Sequence, residues 1–211
     1  MRNILIFCFS LMVGQEPPNP LLSSFKQYKK EKANTPYNVE WISAGPVLNS
    51  ARVEALQGDP RNPGTMYIAF GSGNLWKTID NGLTWKPIFE NQPALGIGDI
   101  ALAPSNSKII YVGTGESLRK NRNFTMPGTG IYRSDDSGNS WRHLGLENTW
   151  HISEIAVHPT NPDIVLVAAM GKFWTNSTSM GIYRTRNGGK TWDRVLFVNE
   201  KTRANDIVIS S

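Results

Sequence analysis

Short runs of alternating apolar and polar residues recur along most of the chain. Ser50-Ala-Arg52-Val-Glu-Ala-Leu56, Ile97-Gly-Asp99-Ile-Ala-Leu-Ala103 and Ile152-Ser-Glu154-Ile-Ala-Val-His158 share one frame, and Ala204-Asn-Asp206-Ile-Val-Ile209 repeats its core. Period-two alternation over so few residues predicts β-strands. The first three run into Pro/Asn turns, such as Asp59-Pro60-Arg-Asn62-Pro63. A second strand follows each turn, at residues 66–70, 109–113 and 164–169, and a third carries an aromatic residue: Asn74-Leu-Trp76, Gly130-Ile-Tyr132 and Gly181-Ile-Tyr183.

The third strand always leads into the same eight-residue box. Its copies are Thr78-Ile-Asp80-Asn-Gly82-Leu-Thr84-Trp85, Ser134-Asp-Asp136-Ser-Gly138-Asn-Ser140-Trp141 and Thr185-Arg-Asn187-Gly-Gly189-Lys-Thr191-Trp192, with the tryptophans 56 and 51 residues apart. An Asx side chain folds back on backbone amides, glycine takes a positive φ and hydroxyls cap their neighbours, so the box predicts a hairpin turn with the tryptophan opening a fourth strand and covering the hairpin. These residues are assigned a structural role, with no catalysis and no metal. Four strands per repeat of about 50 residues is the arithmetic of a propeller blade.

The chain is therefore expected to be all-β: a β-propeller of four-stranded blades, three complete plus the first strand of a fourth, in an incomplete ring. The expected boundaries are residues 39–211 for the blades, 16–38 for a polar leader and 1–15 for a signal peptide. Val39 and Trp41 fit the outer strand of a last blade, and further blades or a second copy are the expected means of closing the ring, since open edges invite association.

Composition adds little against this picture. The 211 residues carry a formal net charge of +5, are 39% hydrophobic and hold 19 Gly and 13 Pro, which excludes disorder and helical bundles. Four lysines, Lys26, Lys29, Lys30 and Lys32, cluster in the leader beside Glu31; this is a solvated run, and no nucleic-acid partner is expected. An apolar run at residues 4–13, preceded by Arg2 and holding the single cysteine, Cys8, has the form of a signal peptide and is too short to span a bilayer. The expected location is secreted or periplasmic, without disulfides or a membrane span. His143 and His158 lack partners at ligand spacing, so neither metal nor cofactor is expected.

The boxes resemble the Asp-box, or bacterial neuraminidase repeat, found in sialidases, xyloglucan-degrading glycosidases, sortilin-type receptors and photosystem II assembly factors. The flanks Trp41-Ile-Ser-Ala-Gly45-Pro46, Tyr111-Val-Gly-Thr-Gly115-Glu116-Ser and His158-Pro-Thr-Asn-Pro162 look most like large secreted bacterial sortilin-like or glycosyl-hydrolase-like repeat proteins, of which this chain reads as an N-terminal fragment. The resemblance covers residues 39–211 and speaks to architecture more than to activity.

Inner strands of a propeller line its channel. Aligning them places Arg52, Asp99, Glu154 and Asp206 at one equivalent position, a ring of charge at the channel mouth able to bind a polar ligand or only to hydrate the channel. Two long connections share that face, residues 116–129 with Arg119, Lys120 and Arg122, and residues 171–180 with Phe173 and Trp174; the turn before Ile152 adds Trp150 and His151. Aromatic platforms beside charges suit a peptide, protein or glycan ligand. Asn123-Phe-Thr125 and Asn176-Ser-Thr178 are glycosylation sequons, meaningful in a eukaryotic secretory pathway.

A binding module is the first reading and a glycoside hydrolase the alternative. The Arg-Ile-Pro motif of sialidases is absent. The resemblance to xyloglucan-active enzymes implies a catalytic Asp in a Tyr-x-x-x-Asp context, but the corresponding stretch is Tyr67-Ile-Ala-Phe-Gly71. Glu116 is then the best acid candidate, with Asp99 or Glu154 as a partner carboxylate.

Overall fold

The computed structural model describes residues 18–36, 52–117 and 125–210. The signal-peptide run with Cys8, the strand around Val39 and Trp41, and the loop residues Arg119, Lys120, Arg122 and Asn123 lie outside them. No helix among the described residues is long and apolar enough to cross a membrane.

Three four-stranded antiparallel sheets follow one another along the chain. Blade 1 is β1 (Val53–Gly58), β2 (Met66–Phe70), β3 (Asn74–Thr78) and β4 (Lys86–Pro87). Blade 2 is β5 (Ile97–Ala103), β6 (Asn106–Thr114), β7 (Ile131–Ser134) and β8 (Arg142–His143). Blade 3 is β9 (Ile152–Val157), β10 (Val165–Ala169), β11 (Gly181–Thr185) and β12 (Asp193–Leu196). Every strand pairs with its sequence neighbour, so each blade is a simple meander. The protein is a partial β-propeller.

Successive side chains on a strand point to opposite faces, and in blade 2 both faces are buried. Ile110 and Val112 of β6 pack with Tyr67, Leu75 and Phe89 of blade 1. Ile109 and Tyr111 pack on the other side with Ile152, Ile155 and Val167 of blade 3. That two-sided burial explains why β6 reads as an unbroken apolar run. The inner strands β1, β5 and β9 stand side by side.

One expectation is corrected and one element is added. Residues 204–209 form no strand, because no ladder pairs them with another strand; their recorded tie is the Ala204 carbonyl, which accepts from Ser153 Oγ at 2.8 Å. The polar leader, read from sequence only as a solvated run, contains a helix, α1 (Pro20–Asn34). Asn19 caps it by accepting from Leu21 N–H at 3.0 Å, and Pro20 supplies the first-turn φ. The buried Asn19 amide also donates to the carbonyls of Gly128 at 2.9 Å and Glu147 at 2.7 Å, hooking the helix to the face where blades 2 and 3 meet.

The boxes form the expected turns. Asp80 accepts from Thr78 Oγ1, Thr84 N–H and Thr84 Oγ1 at 2.7, 2.9 and 2.6 Å, and Asp136 accepts likewise from Ser134 Oγ, Ser140 N–H and Ser140 Oγ at 2.7, 2.8 and 2.6 Å. Gly82, Gly138 and Gly189 donate backbone N–H groups to the leading hydroxyl of each box. The tryptophans do more than cover their own hairpins. Trp85 Nε1 donates to Gly82 within its box, but Trp141 and Trp192 reach the preceding blade, donating to the Ile88 carbonyl at 2.7 Å and the Leu144 carbonyl at 2.8 Å.

Hydrogen bonds, chiefly from the Thr84 and Ser140 hydroxyls, hold the Asp80 and Asp136 carboxyls down at about 2. A carboxyl depressed in the folded state adds stability above its unfolded value of about 3.9 that is lost as pH falls through the folded value. The stability that these two carboxylates add is therefore expected to be lost between about pH 4 and pH 2. Asn187 makes the same turn without a charge, its amide donating to Thr191 Oγ1 at 2.8 Å. An Asp80→Asn, Asp136→Asn double variant is expected to flatten the acid limb of a stability-versus-pH curve; an unchanged limb would show that other groups set it.

Candidate functional site

The four charges aligned on the inner strands meet different fates. Arg52, just before β1, bonds Glu54 at 2.7 Å and the carboxylate of Glu116, two residues past β6 in the next blade. Asp99 is buried in β5, and its carboxylate accepts the Ile155 N–H of β9 at 2.7 Å. That bond ties blade 2 to blade 3. Glu154 sits half-buried in β9 opposite Ala168, and Asp206 is exposed on the unpaired stretch after blade 3. The structure thus joins Arg52 to Glu116 and spends Asp99 on a neighbouring strand, in place of a uniform ring.

Glu116 has the most determined surroundings. A buried carboxylate needs charge and hydrogen-bond partners to offset desolvation. Arg52 supplies the charge and the Met126 N–H donates to Oε2 at 3.2 Å. Space comes from Gly71, where a Cβ would stand 2.8 Å from Glu116 Cγ and Oε1. The side chain of Glu116 therefore lies over the position at which the family pattern led one to expect an aspartate. Ser117 Oγ completes the link between blades by donating to Glu54 at 3.0 Å.

Beside this ion pair is an aromatic and cationic group. The Glu116 carbonyl accepts the His151 Nδ1–H at 3.0 Å, which fixes the ring and its tautomer. Burial, aided by the nearby Arg203 charge, pushes the His151 pKa down to about 3, so the imidazole is neutral at ordinary pH. Phe173 meets that ring at a tilt of 48° with centroids 4.3 Å apart, Trp174 lies 5.8 Å further on, and the Arg203 guanidinium is 5.1 Å from the Phe173 ring. Lys172 lies 5.4 Å from the Trp150 ring.

Two of these tryptophans occupy the left-handed backbone region that bulky residues avoid, Trp150 at φ 59° and Trp174 at φ 63°. Trp150 follows a short 3₁₀ turn, Glu147–Thr149, and its carbonyl accepts the Gly128 N–H at 2.7 Å. Strained residues persist where surrounding contacts over-determine them, and they cluster at functional sites. Trp174 is 64% exposed, so its indole is presented to solvent.

Trp150, His151, Phe173 and Trp174 thus come together, next to Arg52 and Glu116; Arg119 falls outside the described residues. Sequence reasoning missed Glu54, Lys172 and Arg203, and read Gly71 only as the place of an absent aspartate. Glu54 was within reach, since residues two apart on a strand share a face. Arg203 had no periodic signal. Among the described residues no group of three or more His, Cys, Asp or Glu side chains is placed to hold a metal ion.

Comparison with known proteins agrees with this architecture. The chain is 24% identical over 197 residues to a xyloglucanase of a Paenibacillus species, covering 76% of this chain and 18% of that one. It is 26% identical over 154 residues to the xyloglucanase Xgh74A of Acetivibrio thermocellus, covering 64% and 16%. The chain thus spans less than a fifth of these relatives. An ancestral GH74 enzyme superposes with a TM-score of 0.60 at 24% identity, over 77% of this chain and 21% of that one, a likeness of fold. The family model Sortilin-Vps10 (sortilin, neurotensin receptor 3) matches residues 73–205, which span parts of all three blades and all three boxes. With more than half of its length matched, the chain belongs to the Sortilin-Vps10 family.

Proposed function

We propose that this chain is a sortilin-like Asp-box propeller module, secreted or periplasmic, that binds a glycan, peptide or protein on its channel face, with a glycan favoured. Trp174 carries the reading. Its exposed indole stands beside Phe173, whose ring also meets His151 and the Arg203 guanidinium, and together they present an aromatic surface on which a ligand can stack. Flanking Lys172 and Arg203 offer polar contacts to hydroxyls. The kinship with proteins named xyloglucanases favours a sugar chain, and secretion rests on the apolar run after Arg2.

Binding takes precedence over catalysis because the carboxylates have structural work. Glu116 is neutralised by Arg52, and Asp99 holds Ile155. A hydrolase needs a free acid and a second carboxyl at a defined separation. One observation keeps the hydrolase as a second reading: Glu116 puts a carboxylate over Gly71.

Affinity electrophoresis in xyloglucan gels, with an extended unstructured peptide as the comparison ligand in calorimetry, tests both readings. Trp174→Ala is expected to weaken binding by about 2 kcal/mol, roughly 30-fold, without lowering Tm. Wild-type affinity in this variant would remove Trp174 from the site. No release of reducing ends from xyloglucan is expected. Release that Glu116→Gln abolishes in a folded protein would establish the hydrolase instead.

A further inference from the structure

A cleft of about 310 Å³, sharing no lining residue with the channel-face group, lies between the outer strand of blade 1 and the second box. We propose that it is a second glycan-binding site, taking a short segment of a neutral polysaccharide; it rests on the reading above only for the class of ligand. Its size is at the small end of ligand sites, which begin near ~300 Å³.

Trp141 forms one wall. Its indole Nε1 donates to the Ile88 carbonyl at 2.7 Å, and its ring meets Phe89 edge-on, with centroids 5.1 Å apart and planes at 79°. An indole has one polar atom, and here it is already used. Trp141 therefore offers the cleft a fixed apolar surface suited to the C–H face of a pyranose ring.

The facing groups are uncharged and complementary to hydroxyls. Asn91 and Gln92, on the turn after β4, line the cleft, and neither amide is hydrogen-bonded to another described residue. Each can donate and accept. From the box side, Asn139 commits its Nδ2 to the Asp136 carbonyl at 2.6 Å, which leaves its oxygen to accept. Ser140 Oγ donates to Asp136 at 2.6 Å and keeps its lone pairs. A sugar hydroxyl is both donor and acceptor, and this set meets both needs around a flat apolar wall. Lys86 and Glu90 in the same lining cancel in charge, which disfavours a phosphate or a cation.

Titration of the full chain with a soluble β-1,4-linked glucose tetramer, followed by ¹H–¹⁵N correlation spectra, reads both sites separately. Saturable shifts are expected at the Trp141 indole N–H and at the Asn91 and Gln92 side-chain amides. An Asn91→Ala, Gln92→Ala double variant alters only the turn after β4 and is expected to weaken the response at Trp141 about tenfold. Response at Trp174 alone overturns the cleft and leaves the channel-face reading standing. Response at the cleft alone does the reverse, and shifts at neither, up to the solubility limit of the tetramer, overturn both. A Trp141 response unchanged in the double variant also overturns the site as assigned.

Discussion

Replacement of Arg133 by leucine is expected to destabilise the protein by about 3 kcal/mol and lower Tm by roughly 10 °C. Arg133 lies buried in β7 and clamps two blades together. Its guanidinium donates to Tyr111 Oη at 2.7 Å and to Asp163, in the first turn of blade 3, at 2.6 Å, while Asp135 accepts from Nε at 2.7 Å. Leucine would fill part of the space but leave Asp163 without its cation and Asp135 with Arg142 alone, at 3.6 Å. Burial already drives the Tyr111 hydroxyl up to about 12, so the phenol stays neutral and cannot replace the lost charge interaction. Asp163→Asn should cost less, because that side chain is half exposed, at 50%. Thermal unfolding of the two variants side by side is the check. A Tm for Arg133→Leu within ~2 °C of wild type would mean that the clamp contributes no net stability.

Gly98→Ala should be more severe still. A Cβ at residue 98 of β5 would fall on the carbonyl oxygen of Ile152, at the start of β9, and close to that of Gly115. Both obstacles are backbone, so no rotamer change relieves them. Strand β5 would have to withdraw from β9 and give up the bond between Asp99 and Ile155 N–H. A loss of at least about 4 kcal/mol is expected, seen as failure to accumulate soluble protein or as a collapse of the urea midpoint. Gly58→Ala is the matched control, since a Cβ there meets nothing within 4 Å. Equal behaviour of the two variants would show that the inner strands can separate cheaply.

The blades were legible because a strand buried on both faces, a Pro/Asn turn and an Asx-Gly box each leave a local mark that recurs every fifty residues or so. The face bearing Trp150, His151, Phe173 and Trp174 was legible for a related reason: the repeat fixes which loops share one end of the sheets. The pairing of Arg52 with Glu116 was not. It joins residues 64 apart on different blades and depends on the absence of a side chain at Gly71, which no periodicity marks. Asp99 misled because alignment gives position without partner; a carboxylate beside the next strand's N–H looks, in sequence, like one facing a channel. The helix α1 was overlooked through its polarity, although Asn19-Pro20 carries a capping signal.

Each box tryptophan that leaves its own hairpin reaches backward, toward a blade made earlier. Trp141 waits for nothing beyond Ile88, and Trp192 for nothing beyond Leu144. As the chain leaves the ribosome, every new blade thus finds its acceptor already present, and the growing edge is sealed one unit at a time. The bonds between blades set by Trp141, Trp192, Asp99 and Arg133 close over 53, 48, 56 and 30 residues, so assembly proceeds by short loops. Asn19 is the exception, because its acceptors lie 109 and 128 residues downstream. The first part of the described chain to be synthesised is therefore among the last to dock, and the leader helix stays free during synthesis until the junction of blades 2 and 3 exists to receive it.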